Sequence, residues 1–247
     1  MPLQLTGVSV AGRHGPLLET FDLSLAQGER VLLAAEPGHG HTALALVAAG
    51  RLVPDAGGVL MTSPNADAST PAGAAALRAA AAVVDVPGVD EPDEVLTVGA
   101  VVAEGLVCSG RHGLPRDVHA WVEAFLDRWG SRWPAAVDAR ALRRRRIDLL
   151  PAAVRTALLA ELAAGGPQVR YLVLTLPDRH GGDPADWWAL AGSLAARGYG
   201  VLVLATPSSA RALGADVPAT RGLHTPPVVA LRETAQQPTA DLLGALR

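Results

Sequence analysis

Short apolar runs separated by turn residues fill the first third of the chain. Leu3 to Val10 and Phe21 to Leu25 read as strands, and Gly28-Glu29 leads into the wholly apolar Val31 to Ala35, which reads as a buried one. The loop Glu36 to His41 follows. An unbroken small and apolar segment, Thr42 to Ala49, then has helical length and is closed by Gly50, a residue that readily takes the left-handed conformation that ends a helix. Beyond it the pattern predicts a short strand at Val59 to Met61, a polar Ser/Asn/Asp/Thr/Pro loop reaching Pro71, an alanine-rich helix, and a buried strand at Ala82 to Val86.

From Leu96 to about Leu149 the pattern turns helical, with Val122, Phe125 and Leu126 on an apolar face and tryptophans at Trp121, Trp129 and Trp133. Pro151 sits at a helix start, and Ala152 to Ala164 is a helix ended by Gly165-Gly166. Tyr171 to Leu174 and Gly200 to Ala205 are continuous apolar runs of the kind found in parallel strands covered on both faces, with a helix carrying Trp187 and Trp188 between them. One more apolar run, Val228 to Leu231, precedes a polar stretch and a short Ala/Leu helix. Strands alternating with helices predict an α/β domain with a mostly parallel core, antiparallel strands at its N-terminal end, and residues 96–150 as an inserted helical subdomain of one 1–247 domain.

Composition narrows what such a domain can do. At 247 residues and 49% hydrophobic content one full core can form, and a net charge of −3 offers no basic field for nucleic acid. The one run of like charge, Arg143 to Arg146, reads as a solvated face. Cys108 stands alone, so neither an internal disulfide nor a cysteine metal site is expected. No apolar stretch reaches the roughly 18–20 residues that span a bilayer, and the expectation is a cytoplasmic protein, or one held at the inner face of the membrane by a partner. All 21 basic residues are arginine. Chemistry that needs a lysine is excluded.

The loop Pro37-Gly38-His39-Gly40-His41-Thr42 lies between a buried strand and a helix, where a phosphate-binding loop lies. In such loops, backbone N–H groups at the helix N-terminus cradle phosphate oxygens and a lysine adds a full positive charge. Here Gly40 and Thr42 keep the pattern, while His41 stands at the lysine position and is mostly neutral at pH 7 unless a phosphate raises its pKa. Gly38 and Gly40 serve equally well as residues that let the chain turn tightly into a helix, with Thr42 helping to cap it; both readings stand. His39 and His41 lack a third ligand nearby, and no metal site is expected.

The order of features around this loop resembles the ABC ATPase family, the ATP-binding subunits of ABC transporters. Gly28-Glu29 precedes the loop strand as in that family. Ala48-Ala49-Gly50-Arg51-Leu52, followed by Pro54 and Gly57-Gly58-Val59, looks like its Leu-Ala-Gly-Leu-Leu stretch. Val86-Pro87-Gly88 looks like its Val-Pro-Gln, Leu96-Thr97-Val98 suits the spacing that follows, Tyr171 to Pro177 looks like its second nucleotide strand, and Val201 to Thr206 like the strand leading to its switch histidine. The resemblance implies a P-loop NTPase-like ABC fold.

Position by position, the same resemblance implies lost chemistry. Gly88 stands where the family has the glutamine that senses the γ-phosphate. Thr175 stands where an aspartate holds Mg²⁺, Leu176 where a glutamate polarises water, and Pro207 where the switch histidine lies. Leu150 to Arg155 occupies the region of the signature without its Ser-Gly-Gly, and no aromatic residue precedes Phe21 to stack on adenine, for which His14 is the substitute. Phosphoryl transfer rests on positioning and electrostatic stabilisation, so these replacements imply weak or absent hydrolysis, weak ATP binding, and little or no Mg²⁺ binding. The implied role is a structural or regulatory partner of a membrane permease or of an active ABC ATPase, as a homo- or heterodimer. Two alternatives remain open: an active ATPase using His41 and an unrecognised carboxylate, for which Asp178 in the polar Asp178-Arg179-His180 segment is the candidate, or a non-ABC α/β binding protein.

Overall fold

The computed structural model describes residues 2–38, 40–61, 71–130, 137–218 and 225–235. Trp133, His39 and the C-terminal Ala/Leu helix expected from the sequence lie outside the described residues.

Strands β1 (Leu3–Val10) and β2 (Leu18–Leu25) pair antiparallel. Strand β3 (Glu29–Ala34) leads into α1 (His41–Ala48), and β4 (Ala56–Met61) returns to pair antiparallel with β1, giving a three-stranded sheet in the order β2-β1-β4. Helix α2 (Pro71–Ala80) precedes β5 (Ala81–Val84). Helices α3 (Val98–Cys108), α4 (Pro115–Trp129) and α5 (Ala139–Arg144) follow, then α6 (Ala152–Ala164), β6 (Tyr171–Thr175), α7 (Pro184–Ala196), β7 (Gly200–Ala205), α8 (Pro207–Ala212) and β8 (Val228–Thr234). The second sheet has the order β5-β6-β7-β3-β8, in which β5, β6, β7 and β3 run parallel and β8 is antiparallel to β3.

Alternate residues of the central strands feed two cores. Leu32, Ala34, Leu172, Leu174, Val201 and Val203 face the side covered by α3 to α7. Their neighbours Val31, Leu33, Tyr171, Val173, Leu202 and Leu204 face α1 and the antiparallel sheet. Burial on both faces is why these strands are apolar throughout.

The structure moves several predicted boundaries. β2 begins at Leu18, three residues before the expected Phe21, because Leu18 already pairs with Val10 and is buried. β3 gains Glu29, whose carboxylate is buried and accepts from the Ala26 N–H at 2.8 Å. β5 stops at Val84, two residues short of Val86, where Asp85 turns to φ 61°. Helix α8 was not expected from the sequence; Thr206 starts it by accepting from the Ser209 N–H through its side chain, with Pro207 in the first turn. Trp187 and Trp188 are both buried. Trp188 donates its Nε1–H to Glu233 at 3.2 Å, and the Arg30 guanidinium carbon lies 4.2 Å from its ring centroid. Among the described residues no helix is long and apolar enough to cross a membrane.

Candidate functional site

In open parallel sheets ligands bind beyond the carboxyl ends of the strands, and the glycine loop, Gly88, Thr175, Leu176, Asp178 and Pro207 all follow or end strands of the parallel sheet on that edge. β3 ends at Ala34 and leads into the glycine loop. Gly38 (φ 87°) and Gly40 (φ 97°) both take left-handed conformations. A Cβ at Gly40 would lie 2.9 Å from Leu18 Cδ1 and 3.0 Å from the Leu17 carbonyl oxygen, so this glycine is required by packing as well as by φ. Gly40 is the N-cap of α1, and among the described residues no side chain caps the helix; Thr42, considered as a cap, sits half-buried within the first turn. His41 is buried. Its Nε2 lies 3.2 Å from the carbonyl oxygen of Ala205, the last residue of β7, so the ring spans from α1 to the neighbouring strand.

β7 continues into Thr206, which Asp178 holds. Asp178 Oδ2 accepts from the Thr206 N–H at 2.9 Å, the Thr206 hydroxyl at 2.6 Å and the Ser209 hydroxyl at 2.7 Å. Asp178 therefore ties the turn after β6 to the start of α8. Pro207 occupies the first turn of that helix and is buried. Thr175 ends β6 at 2% exposure, its hydroxyl unpartnered among the described residues, and Leu176 follows at φ 48°, a conformation rare for a residue with a branched side chain. Gly88, at φ 70°, lies exposed in the turn after β5.

The strongest electrostatic feature centres on a residue that was not singled out from the sequence, and it gathers Arg155, Arg179 and His180, which were noted for other reasons. Asp85, at the end of β5, is 6% exposed and accepts from Arg155 Nε at 3.1 Å and Nη2 at 2.9 Å. The turn after β6 adds Arg179 Nη2 at 3.0 Å and His180 Nε2 at 2.9 Å, and Arg179 also reaches Glu91 at 2.9 Å. Burial by itself would raise the Asp85 carboxyl. Hydrogen bonds from His180 and Arg155, with the charges of Arg155 and Arg179, outweigh it and bring the carboxyl down to about 2. His180 Nε2 also lies 2.9 Å from Arg179 Nε, and it can donate to Asp85 or accept from Arg179 but not both. A lone aspartate inside Ala81-Ala82-Val83-Val84-Asp85-Val86 was the available signal, since a buried carboxylate requires a cationic partner.

These contacts link four strand ends in series. Asp85 after β5 meets Arg179 and His180 after β6, Asp178 beside them meets Thr206 after β7, and Ala205 at the end of β7 meets His41 at the start of α1. The carboxylates on this edge are therefore engaged by the protein's own donors. Asp85, Glu91 and His180 offer ligand atoms within 4.8 Å of one another, but two guanidinium groups already sit on Asp85, and their charges oppose a cation there. Neither Thr175 nor Leu176 offers a carboxylate. The Asp85, Glu91 and His180 set does not fit Mg²⁺, and the described glycines of the loop, Gly38 and Gly40, take positive φ.

No protein-family model and no curated protein matches the sequence. Solved structures do match in fold. The cbiO1 protein of Clostridium perfringens, part of the ABC transporter complex cbiONQ, superposes with a TM-score of 0.58 at 20% identity, covering 83% of this chain and 77% of that one. A nucleotide-free ATP-binding cassette from an ABC transporter gives 0.59 at 17% identity, over 84% and 82% of the two chains. A dimeric bacterial ABC transporter cassette gives 0.59 at 14% identity, over 85% and 90%. The fold is that of ABC ATP-binding cassettes, with the antiparallel N-terminal sheet and mostly parallel core expected from the sequence.

Proposed function

We propose that this chain is an ABC-cassette subunit that does not hydrolyse ATP and serves as a structural or regulatory partner of a membrane permease or of an active ATPase subunit. The observation that carries this reading is the closed series of side-chain contacts across the carboxyl edge of the sheet. In it the residue at the lysine position, His41, is spent on the Ala205 carbonyl, and the available carboxylates are spent on arginine, histidine and hydroxyl groups. A P-loop site works by aiming unengaged charge at a transferring phosphoryl group. His41, Asp85 and Asp178 are each already held by a contact within the protein. Weak, Mg²⁺-independent ATP binding by the glycine loop remains part of the proposal, because Gly38 and Gly40 keep left-handed turns ahead of the α1 N-terminus.

A partner-docking surface fits the same reading. Beside β5, the edge strand of the five-stranded sheet, lies a cleft of about 960 Å³ walled by α3 and α6 and by the segment after β5. Glu91, Asp93 and Glu104 line it, and Val89, 55% exposed, adds an apolar contact. Arg51 and Arg78 line it as well, and the acidic residues outnumber them; its occupant in this proposal is a basic, apolar-faced segment of the partner protein, matched by that excess of acidic groups.

The test is a nucleotide titration with and without Mg²⁺, combined with a phosphate-release assay. Expected are millimolar-range ATP binding that Mg²⁺ does not strengthen and no release above buffer. Mg²⁺-dependent release that His41→Ala and Thr42→Ala both abolish would refute the proposal. Pull-down from native membranes should recover a permease or ATPase, and Val89→Asp combined with Glu104→Arg should lose it.

A further inference from the structure

A second pocket lies away from the sheet edge, among the helices of residues 96–150. Its cavity of about 490 Å³ is bounded by the first turn of α3 at Thr97 and Gly99, the start of α4 at Pro115, and one face of α5. Arg140, Arg143 and Arg144 line it from α5, and His119 lines it from α4. Among the described residues that line it, none is acidic.

The three arginines stand at i, i+3 and i+4, which brings their side chains to the same face of the helix. Among the described residues none of the three has an ion-pair partner, in contrast to Arg146 of the same run, which pairs with Asp148 at 2.6 Å. Arg143 Nε and His119 Nδ1 are buried and, among the described residues, without hydrogen-bond partners, although His119 turns its Nε2 toward Glu123 at 3.4 Å. Buried donors of this kind require an acceptor, and an unpaired guanidinium cluster on one helix face is self-repelling. In the run that reads from sequence as a solvated face, Arg144, Arg145 and Arg146 are exposed and Arg143 is half-buried. Arg143 and Arg144, with Arg140 one turn before them, line the cavity.

We infer that this cavity binds a phosphate-bearing anion through Arg140, Arg143, Arg144 and His119. Guanidinium forks match phosphate oxygens in pairs, three of them suit the double charge and multiple oxygens of a phosphomonoester better than a single carboxylate, and the volume falls in the range of small-ligand sites. The positive end of the eleven-residue helix α3 adds to the same field. Val118 and Ala103 give the pocket an apolar wall against which the organic part of such a ligand packs. The site shares no residue with the glycine loop, and it stands or falls independently of the function proposed above.

Calorimetric titration of the full chain at fixed ionic strength, with inorganic phosphate and glycerol 3-phosphate as probes, tests it. Flotation with phosphatidic acid vesicles separates a soluble phosphomonoester from a lipid headgroup. Sub-millimolar binding is expected, weakened at least tenfold in Arg143→Gln/Arg144→Gln and unchanged in Arg170→Gln/Arg211→Gln, which removes the same charge from exposed positions elsewhere. If only the vesicles bind, with the same dependence on Arg143 and Arg144, the phosphate belongs to a lipid. Binding retained in the Arg143/Arg144 variant, or equal loss in the control, overturns the site, as does failure of every probe to bind.

Discussion

Replacing Asp85 with asparagine removes the charge on which Arg155, Arg179 and His180 converge. Arg155 is 3% exposed, and the substitution would leave its guanidinium buried opposite a neutral amide. Removing one partner of a buried ion pair destabilises by about 3–5 kcal/mol, and the retained amide oxygen places Asp85→Asn near the lower end, at about 3 kcal/mol. For a chain of this length that lowers the melting temperature by roughly 6–12 °C. The pH dependence gives a sharper check. A carboxyl held at about 2 in the folded state, against ~3.9 unfolded, contributes ~2–3 kcal/mol. Because the folded pKa is the lower one, that contribution is complete above about pH 5 and falls away as the pH drops through 4 toward 2, with about half gone at pH 3.

Urea unfolding followed by far-UV circular dichroism at pH 6 and pH 3 measures both quantities. The gap between wild type and Asp85→Asn should be about 3 kcal/mol at pH 6 and about 1 kcal/mol smaller at pH 3. Asp85→Leu combined with Arg155→Met removes both charges and should recover most of the loss, since burying neither ion also avoids desolvating them. A gap below ~0.5 kcal/mol, or one that does not narrow with acid, would show that the cluster does not hold the strand ends together.

Other substitutions probe the same architecture. Glu161, buried in α6, accepts from Arg128 at 2.8 Å and from Trp129 Nε1 at 3.0 Å and pairs with Arg197, so it joins α4 to α7; Glu161→Ala should cost about 3–5 kcal/mol in denaturant unfolding. Gly40→Ala forces a Cβ against Leu18 and the Leu17 carbonyl at φ 97°, and should lower stability by about 1–3 kcal/mol, read as a fall in melting temperature. His41→Lys returns the family's residue type to the loop but into a buried position facing Ala205. If the proposed function holds, phosphate release should stay at background, and Mg²⁺-dependent turnover in this variant would count against the contact network as the reason for inactivity.

The elements that packing dictates were legible in the sequence because they depend on local pattern. β1, α6 and β7 match their predicted ends, since a two-residue or 3.6-residue apolar period bounded by glycine or proline needs no long-range information. Boundaries failed where a distant partner decides them. Val10 extends β2 back to Leu18, and the left-handed turn at Asp85 shortens β5. The glycine loop was found by its motif, and the replaced positions Gly88, Thr175, Leu176 and Pro207 by resemblance, but neither route reports where a side chain is engaged. That His41 spans to β7, that Asp178 holds Thr206 and Ser209 at the start of α8, and that Asp85 gathers two guanidinium groups and an imidazole from segments 70 to 95 residues away follow only once the strands are side by side. The consequence reaches function. A sequence comparison registers absent groups one at a time, whereas the fold has used the remaining polar groups to join the four strand ends. Under the function proposed above, restoring one residue of an ATP-hydrolysing site would compete with an existing contact, and recovery of activity by single substitution is the outcome that proposal opposes.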